Sequence, residues 1–404
     1  MSTERLVFRS QEIYAEDGVV DGHVVIAGGR IEAIRPGDPP PDGDARVVDV
    51  RPHRVFPGFV DLHIHGAGGW NVDAADVDEL RGLCRYVAAW GVTALQPTVS
   101  ALPAERLEAV ARAVHAAMAA EPEGARILGL HLEGPYLNAA RKGAMDPRLF
   151  RDPSREEIEH LMTAFPGTVR HVTLAPELPG ALDFIRWLAG LGDVTVAGGH
   201  TDATYDQTRA GIDAGIRVAN HAYNAMRGLT QREPGALAAY MLDGRVMCEL
   251  IADGRHVHPA AMEVLLRVAG KDRICLVSDA VPPAGLPQGR YELFGREVAI
   301  TAEGFCLLPD GTLAGSAHML VLGVRNLVEM LGVPVADAVR MASLNPARVA
   351  RVDRSKGSLA PGKDADLTVV SADWKPLWTV VEGRVVHAPD MAPPPPSPAV
   401  RPSA

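Results

Sequence analysis

The chain has 404 residues, 47% hydrophobic and 22% charged. That is enough to bury a large core, and the length favours one large domain plus a small one over several equal units. A formal net charge of −10 argues against a nucleic-acid surface, which needs clustered Lys and Arg. Lysine occurs only as Lys142, Lys271, Lys356, Lys363 and Lys375, so an anionic substrate must find its positive partners locally. Cys84, Cys248, Cys275 and Cys306 show no CxxC spacing and read as reduced, buried thiols. No stretch approaches the ~20 apolar residues of a membrane span. The N-terminal MSTERLVFRSQEIYAEDG carries charges where a signal peptide needs an apolar run, which leaves a cytoplasmic location as the default expectation.

In chain order, residues 4–55 read as short β-strands: LVFRS, EIYA, and a pair in GHVVIAGGRIEAIRPG turning at Gly28-Gly29. The middle then repeats one pattern. Apolar, β-branched runs occur at VFPGFVDLHIH, GVTALQPTV, RILGLHLE, VRHVTLAPE, VTVAGGH, RVANHAYN, RVMCELIADG and RICLVSDA. Amphipathic stretches such as DVDELRGLCRYVAAWG and PAERLEAVARAVHAAMAA separate them, with the three- and four-residue apolar spacing of one helix face. Eight strands alternating with helices over about 230 residues predict a (β/α)8 TIM-type barrel. The rival is a doubly wound sheet, which more typically has fewer strands, and no GxGxxG follows the first strand. The β texture returns in ADLTVVSADWKPLWTVVEGRVVHAP, so residues 1–55 and 355–388 are expected to form a small β-sandwich domain built from both chain ends, with the barrel at 56–354. Residues 389–404 form a Pro-rich segment expected to be disordered.

The chemistry-bearing residues fall at the strand ends. The first strand ends in Asp61-Leu-His63-Ile-His65, and alternation puts His63 and His65 on one face. Others end in His131-Leu-Glu133, Gly-Gly-His200, Asn220-His221 and Ser278-Asp279. All lie at the carboxyl-terminal ends of strands, where barrel enzymes build their sites. A lone His at a strand end is more often a hydrogen-bonded structural group, but accident would have to strike five strands at the same end. Mixed imidazole and carboxylate suit a divalent zinc, iron, cobalt or manganese ion better than magnesium or calcium. His23, His53, His115, His160, His171, His258 and His387 lie on helices, loops or the small domain and read as structural. His131 shares the face of Glu133 and reads as a supporting group.

The segments PGFVDLHIHG, HLEGPYLN, GGHTDA, HAYNAMRGLTQREPG, ADGRHVHP, LVSDA and LAGS together resemble the amidohydrolase superfamily and, within it, the N-acetylglucosamine-6-phosphate deacetylases. The resemblance runs from about residue 50 through ASLNPARVA and GSLAPGKDADLTVV. It implies a metal-dependent barrel with metal ligands at Glu133, His200 and His221. The retained pair His63 and His65 implies capacity for a second ion joined through Glu133, hence one or two ions per subunit. Asp279 takes the place of the catalytic proton carrier. Substrate contacts are implied at Asn224, Ala225, Arg232 and His256, with Leu313, Ala314 and Gly315 closing over a sugar phosphate. A guanidinium suits a phosphate because it stays charged and bonds in bidentate fashion. The resemblance also implies a homodimer that shares its phosphate contacts. Many superfamily relatives join two metals through a modified lysine at the end of the fourth strand; here that strand runs into Ala175-Pro176-Glu177.

Two departures stand out. The family commonly continues with KGAH, and its histidine touches the substrate near the reacting acetyl group, whereas this chain has Lys142-Gly143-Ala144-Met145. A thioether is at most a weak acceptor, so Ala144 and Met145 line a changed subsite. His318 stands where a small polar residue is expected. The competing activities are deacetylation of N-acetylgalactosamine 6-phosphate or of an N-acyl amino acid, and, from another class, an inactive barrel serving as a binding module.

Overall fold

The computed structural model describes residues 5–40, 45–293, 296–392 and 394–397. Eight strands form the barrel: β1 (Phe59–Ile64), β2 (Val92–Val99), β3 (Leu130–Glu133), β4 (Val169–Leu174), β5 (Thr195–Gly198), β6 (Val218–Ala219), β7 (Met247–Leu250) and β8 (Ile274–Leu276). They are parallel and pair in sequence order. Past the end of β8, His65 N donates to Ala280 O at 2.8 Å and Asp279 N to His63 O at 2.9 Å, which brings β8 back to β1. Each strand is buried on both faces, as a sheet covered by helices requires.

The helices that follow the strands are α1 (Val77–Ala88), α2 (Ala104–Ala119), α3 (Arg155–Ala164), α4 (Ala181–Gly190), α5 (Tyr205–Ala214), α6 (Gly235–Leu242), α7 (Pro259–Ala269) and α8 (Leu320–Leu331), and α9 (Val335–Ala342) and α10 (Leu344–Val349) come after them. Their starts are written locally. Asp76 accepts from the N–H groups of Asp78 and Glu79 at the head of α1, and Thr204 with Gln207 forms a capping box on α5. Leu80, Leu83 and Val87 of α1 and Leu107, Val110 and Val114 of α2 pack on Leu95, Val99 and Leu132 of the barrel in one core. No helix among the described residues is long and apolar enough to cross a membrane.

The small domain is one eight-stranded sheet drawn from both chain ends. Arg5–Ala15, Gly18–Ala27, Arg30–Pro36, Ala45–Asp49 and Arg54–Pro57 join Leu367–Val370, Pro376–Val381 and Arg384–His387. LVFRS and EIYA, expected as two strands, are one long strand with a register shift between Ser10 and Ile13. Before the shift it pairs with Ala45–Asp49 and after it with Arg54–Pro57, so one strand serves two neighbours. Phe8, Ile13, Val24, Ile31, Val55, Leu367, Val369 and Val380 bury a core separate from that of the barrel.

Two other expectations need amendment. RILGLHLE is broken in two, because Gly129 takes a φ of 130° between Arg126–Ile127 and β3. The terminal segment is also not wholly unpacked: Ser397 is buried, and its N–H donates to Gly68 O at 2.7 Å. Residues 398–404 lie outside the described residues.

A candidate metal centre at the carboxyl-terminal strand ends

The structure brings all six expected groups together. His63 and His65 leave β1 on the same face, and Glu133 ends β3 between them and the later strands. His65 Nε2 stands 3.1 Å from Glu133 Oε2, and His63 Nε2 stands 3.4 Å from Glu133 Oε1. On the other side His200 and His221 place Nε2 at 3.2 and 2.8 Å from that same Oε1. Asp279 Oδ1 lies 3.5 Å from both His63 and His65 Nε2. Two triads, His63/His65/Glu133 and Glu133/His200/His221, each hold ligand atoms within 4.8 Å of one another, and Glu133 is common to both.

The backbone is strained where these side chains are presented. His200, His221, Ala225 and Asp279 have φ values of 45°, 26°, 48° and 47°, the left-handed region that side chains rarely adopt. Such outliers cost on the order of 1–3 kcal/mol each and gather at functional sites. The glycine before His200 is also required: a Cβ on Gly199 would lie 2.6 Å from the Asn220 Cβ.

The donor chemistry fits a cation. His200 Nδ1 is 2.8 Å from Arg141 O, and a carbonyl only accepts, so Nδ1 carries a proton and Nε2 is the nitrogen presented to Glu133 and to any cation. His63 Nδ1 faces the Glu249 carboxylate at 3.3 Å, again an acceptor, which turns His63 Nε2 toward Glu133 and Asp279. His200 and His221 Nε2 are only 3.2 Å apart. Lone pairs converging on carboxylate oxygens repel unless a positive charge sits among them, and an imidazole held by a carbonyl or carboxylate at its far nitrogen is the usual posture of a metal ligand. Burial alone would raise the Glu133 carboxyl, but the charge of His63 and hydrogen bonds from His200, His221 and His63 hold it well below its ordinary range. Burial would lower His63; Glu133 and Asp279 outweigh it and raise the ring well above its usual value.

His65, Glu133, His200, His221 and Asp279 form the floor of a cavity of about 230 Å³, with His63 buried behind them. Its walls include Ala144, Met145, Asn224, Ala225 and His256, and Leu313, Ala314 and Gly315 cover it. Those last residues belong to a four-stranded antiparallel sheet (Gly289–Leu293, Arg296–Ile300, Phe305–Leu307, Leu313–Ser316) inserted between β8 and α8. Met145 is buried among Ala101 and Leu137, with Leu149 and Phe150 against them, so an apolar cluster backs this part of the wall. Arg232 is not part of the lining: it is exposed on the loop before α6. No Lys or Arg is among the described residues that line the cavity.

Several contacts around the site were not read from the sequence. Asn220 Nδ2 donates to Glu133 Oε1 at 2.8 Å. Asp253 Oδ2 stands 2.7 Å from His256 Nδ1, so a buried carboxylate orients that imidazole. Burial would raise Asp253, but the bond and charge of His256 with the N–H groups of His256 and Arg255 hold it at about 2. Glu249, in the middle of β7, is fully buried. Burial would raise its carboxyl, and the hydrogen bond and charge of His63 outweigh that and lower it. Beneath the centre His131 and His171 stack at 3.9 Å. His131 Nδ1 donates to Leu62 O at 3.1 Å, while Nε2 stands 2.8 Å from Thr173 Oγ1. His171, pushed down to about 4 by burial, stays neutral. His23, His53, His115, His160, His258 and His387 stand outside both triads. His318 is half-buried and outside the cavity lining.

An eight-stranded barrel whose strand ends gather four imidazoles and two carboxylates defines the class of metal-binding hydrolase barrels. The chain belongs to the amidohydrolase family, whose model matches residues 54–386. It is 42% identical over 369 residues to the N-acetylgalactosamine-6-phosphate deacetylase of Escherichia coli, covering 91% of this chain and 95% of that one. It is 38% identical over 384 residues to the N-acetylglucosamine-6-phosphate deacetylase of Vibrio furnissii, covering 94% of each. Among solved structures, a point mutant of the N-acetylglucosamine-6-phosphate deacetylase of Mycobacterium smegmatis, in complex with N-acetylglucosamine 6-phosphate, superposes with a TM-score of 0.89 at 36% identity, covering 95% of this chain and all of that one.

Proposed function

We propose that the protein hydrolyses the acetamide of N-acetylglucosamine 6-phosphate to glucosamine 6-phosphate and acetate. The observation that carries this is that His65, Glu133, His200, His221 and Asp279 line one sugar-sized cavity, with His63 buried behind Glu133. Glu133, His200 and His221 would hold one divalent ion, and His63, His65 and Glu133 a second; zinc is the first choice, ahead of iron, cobalt or manganese. Bound there, such an ion supplies Lewis acidity, which acidifies water and polarises an acyl oxygen.

The rest falls to the chain. Asp279 takes a proton as water oxygen adds to the acyl carbon, then gives it to the amine nitrogen as the C–N bond breaks, so the products are amine and acetate. His256, fixed by Asp253, together with Asn224 and the backbone at Ala225, holds the sugar phosphate. Leu313, Ala314 and Gly315 cover it, which excludes water from the reacting bond. Because the lining carries no Lys or Arg, the phosphate needs a cation from elsewhere. Arg232 of a second copy in a homodimer supplies it in this proposal, with the enzyme acting in the cytoplasm.

A second activity, on N-acetylgalactosamine 6-phosphate, is favoured by the Escherichia coli relative and by the apolar Met145 wall. Amine release from both sugar phosphates, from unphosphorylated N-acetylglucosamine and from N-acetyl amino acids tests the substrate. The 6-phosphate should dominate kcat/KM, and indifference to it would refute the assignment. Asp279→Asn should abolish turnover with metal content preserved; near-normal kcat in that variant would remove Asp279 from the mechanism.

A further inference from the structure

Glu249 has no part in the chemistry above, yet it is a carboxylate with no solvent exposure in the wall of the barrel. Burying an ionised carboxylate costs several kcal/mol unless it is paired and hydrogen-bonded, so its surroundings show what it serves. One oxygen, Oε2, accepts twice: from His63 Nδ1 at 3.3 Å and from the backbone N–H of His221 at 3.1 Å. The main chain of Glu249 adds a third tie, since its carbonyl accepts from Ala222 N at 2.8 Å. These contacts reach one ligand of each triad. The first fixes the His63 ring with a proton on Nδ1, so that Nε2 is the nitrogen turned toward Glu133 and Asp279 and the one a metal would take. The second and third hold the Asn220–Ala222 turn, in which His221 sits at a φ of 26° and would relax if released.

We infer that Glu249 is a positioning residue that makes the His63/His65/Glu133 position able to take a second divalent ion, and that it ties that position to the His200/His221 half of the centre. This rests on the metal-centre assignment above. Losing such a supporting carboxylate typically lowers metal affinity by about 10- to 100-fold. Glutamine can keep an oxygen where Oε2 stands, so Glu249→Gln preserves both bonds and loses the charge; Glu249→Leu fills the space and removes the acceptor.

Metal-free wild type, Glu249→Gln and Glu249→Leu would be titrated with Zn(II) and Co(II), with equivalents per chain counted by emission spectroscopy and the Co(II) absorption bands followed. The wild type should bind two equivalents. The second should weaken by about 10-fold in the glutamine variant and about 100-fold in the leucine variant, with the first affected less. In ring-15N-histidine samples without metal, at a pH high enough to remove the imidazolium proton, His63 should be the Nδ1–H tautomer in wild type and in Glu249→Gln, and a mixture in Glu249→Leu. A merely structural Glu249 would lower the melting temperature and leave the tautomer and the second equivalent untouched, which overturns the inference. So does a wild type that binds one equivalent. A wild type that binds none overturns the metal centre itself. If the leucine variant does not fold, the glutamine titration and the wild-type tautomer decide the matter.

Discussion

Chelation should unfold this protein at a lower temperature, and the drop can be sized. An ion that binds only the folded chain stabilises it by RT ln(1 + [M]/Kd), about 4 kcal/mol when the metal is a thousandfold above Kd. Unfolding entropy of about 2.1 cal/mol/K per residue gives on the order of 0.8 kcal/mol/K for a chain of 404 residues. The melting temperature should therefore fall by about 5 °C. The drop should grow as pH rises. His63 is raised above its ordinary value by Glu133 and Asp279, so in the stripped protein a ring proton stands in for the metal at low pH. That contribution is fully present below the unfolded imidazole pKa of about 6.5 and is lost as pH rises through the folded value. Metal binding, which needs bare imidazoles, strengthens over the same range. Calorimetry of reconstituted and chelated protein at two pH values, with metal loss verified, provides the measurement. A change under about 1 °C, or an equal response in Glu133→Gln, would refute the shared-carboxylate centre.

Other outcomes follow from single contacts. The fully buried Tyr240 hydroxyl has no hydrogen-bond partner among the described residues. Unpaired buried hydroxyls cost about 1–3 kcal/mol, so Tyr240→Phe should leave stability unchanged or raise it by about 1 kcal/mol in a denaturant midpoint; a loss of that size would show that the hydroxyl is satisfied. Asp253 is held at about 2, a depressed carboxyl. Its contribution is present above the unfolded value of about 3.9 and is lost as pH falls toward 2. Asp253→Asn should therefore flatten the acid limb of stability by on the order of 2 kcal/mol between those values, and an unchanged limb would contradict the pairing. Met145→His puts an imidazole in the cavity wall and should change the preference between the two N-acetylhexosamine phosphates or the metal dependence; identical kinetics would mean that this position does not face the substrate.

The strand ends were legible because each carries its own short signal. DLHIH, HLE, GGH, NH and SDA read as ligand-bearing ends without knowledge of their neighbours, and the structure brings them onto one floor. Glu249 was not legible, because RVMCELIADG looks like any buried strand with one acid. Only the register against β6 and β8 turns that side chain toward His63 and His221. Asp253 escaped notice because its partner is three residues on around a loop, a spacing with no helix or strand to announce it. The stacking of His131 on His171 likewise depends on the pairing of β3 with β4. Arg232 is the reverse case: its motif is plain in the sequence, but the fold leaves it exposed on the loop before α6 and outside the cavity lining.

The cover of the cavity is not an independent flap. Ser316, the last residue of the inserted sheet, donates its N–H to Asp279 O at 2.8 Å and receives the Val281 N–H at 3.2 Å. The strand whose Leu313–Gly315 segment lies over the cavity is thus stitched to the main chain of the residue assigned to carry the proton. A displacement of that strand would therefore load the main chain of Asp279. A ligand or partner that held the inserted sheet from outside would thereby act on the Asp279 main chain without entering the cavity.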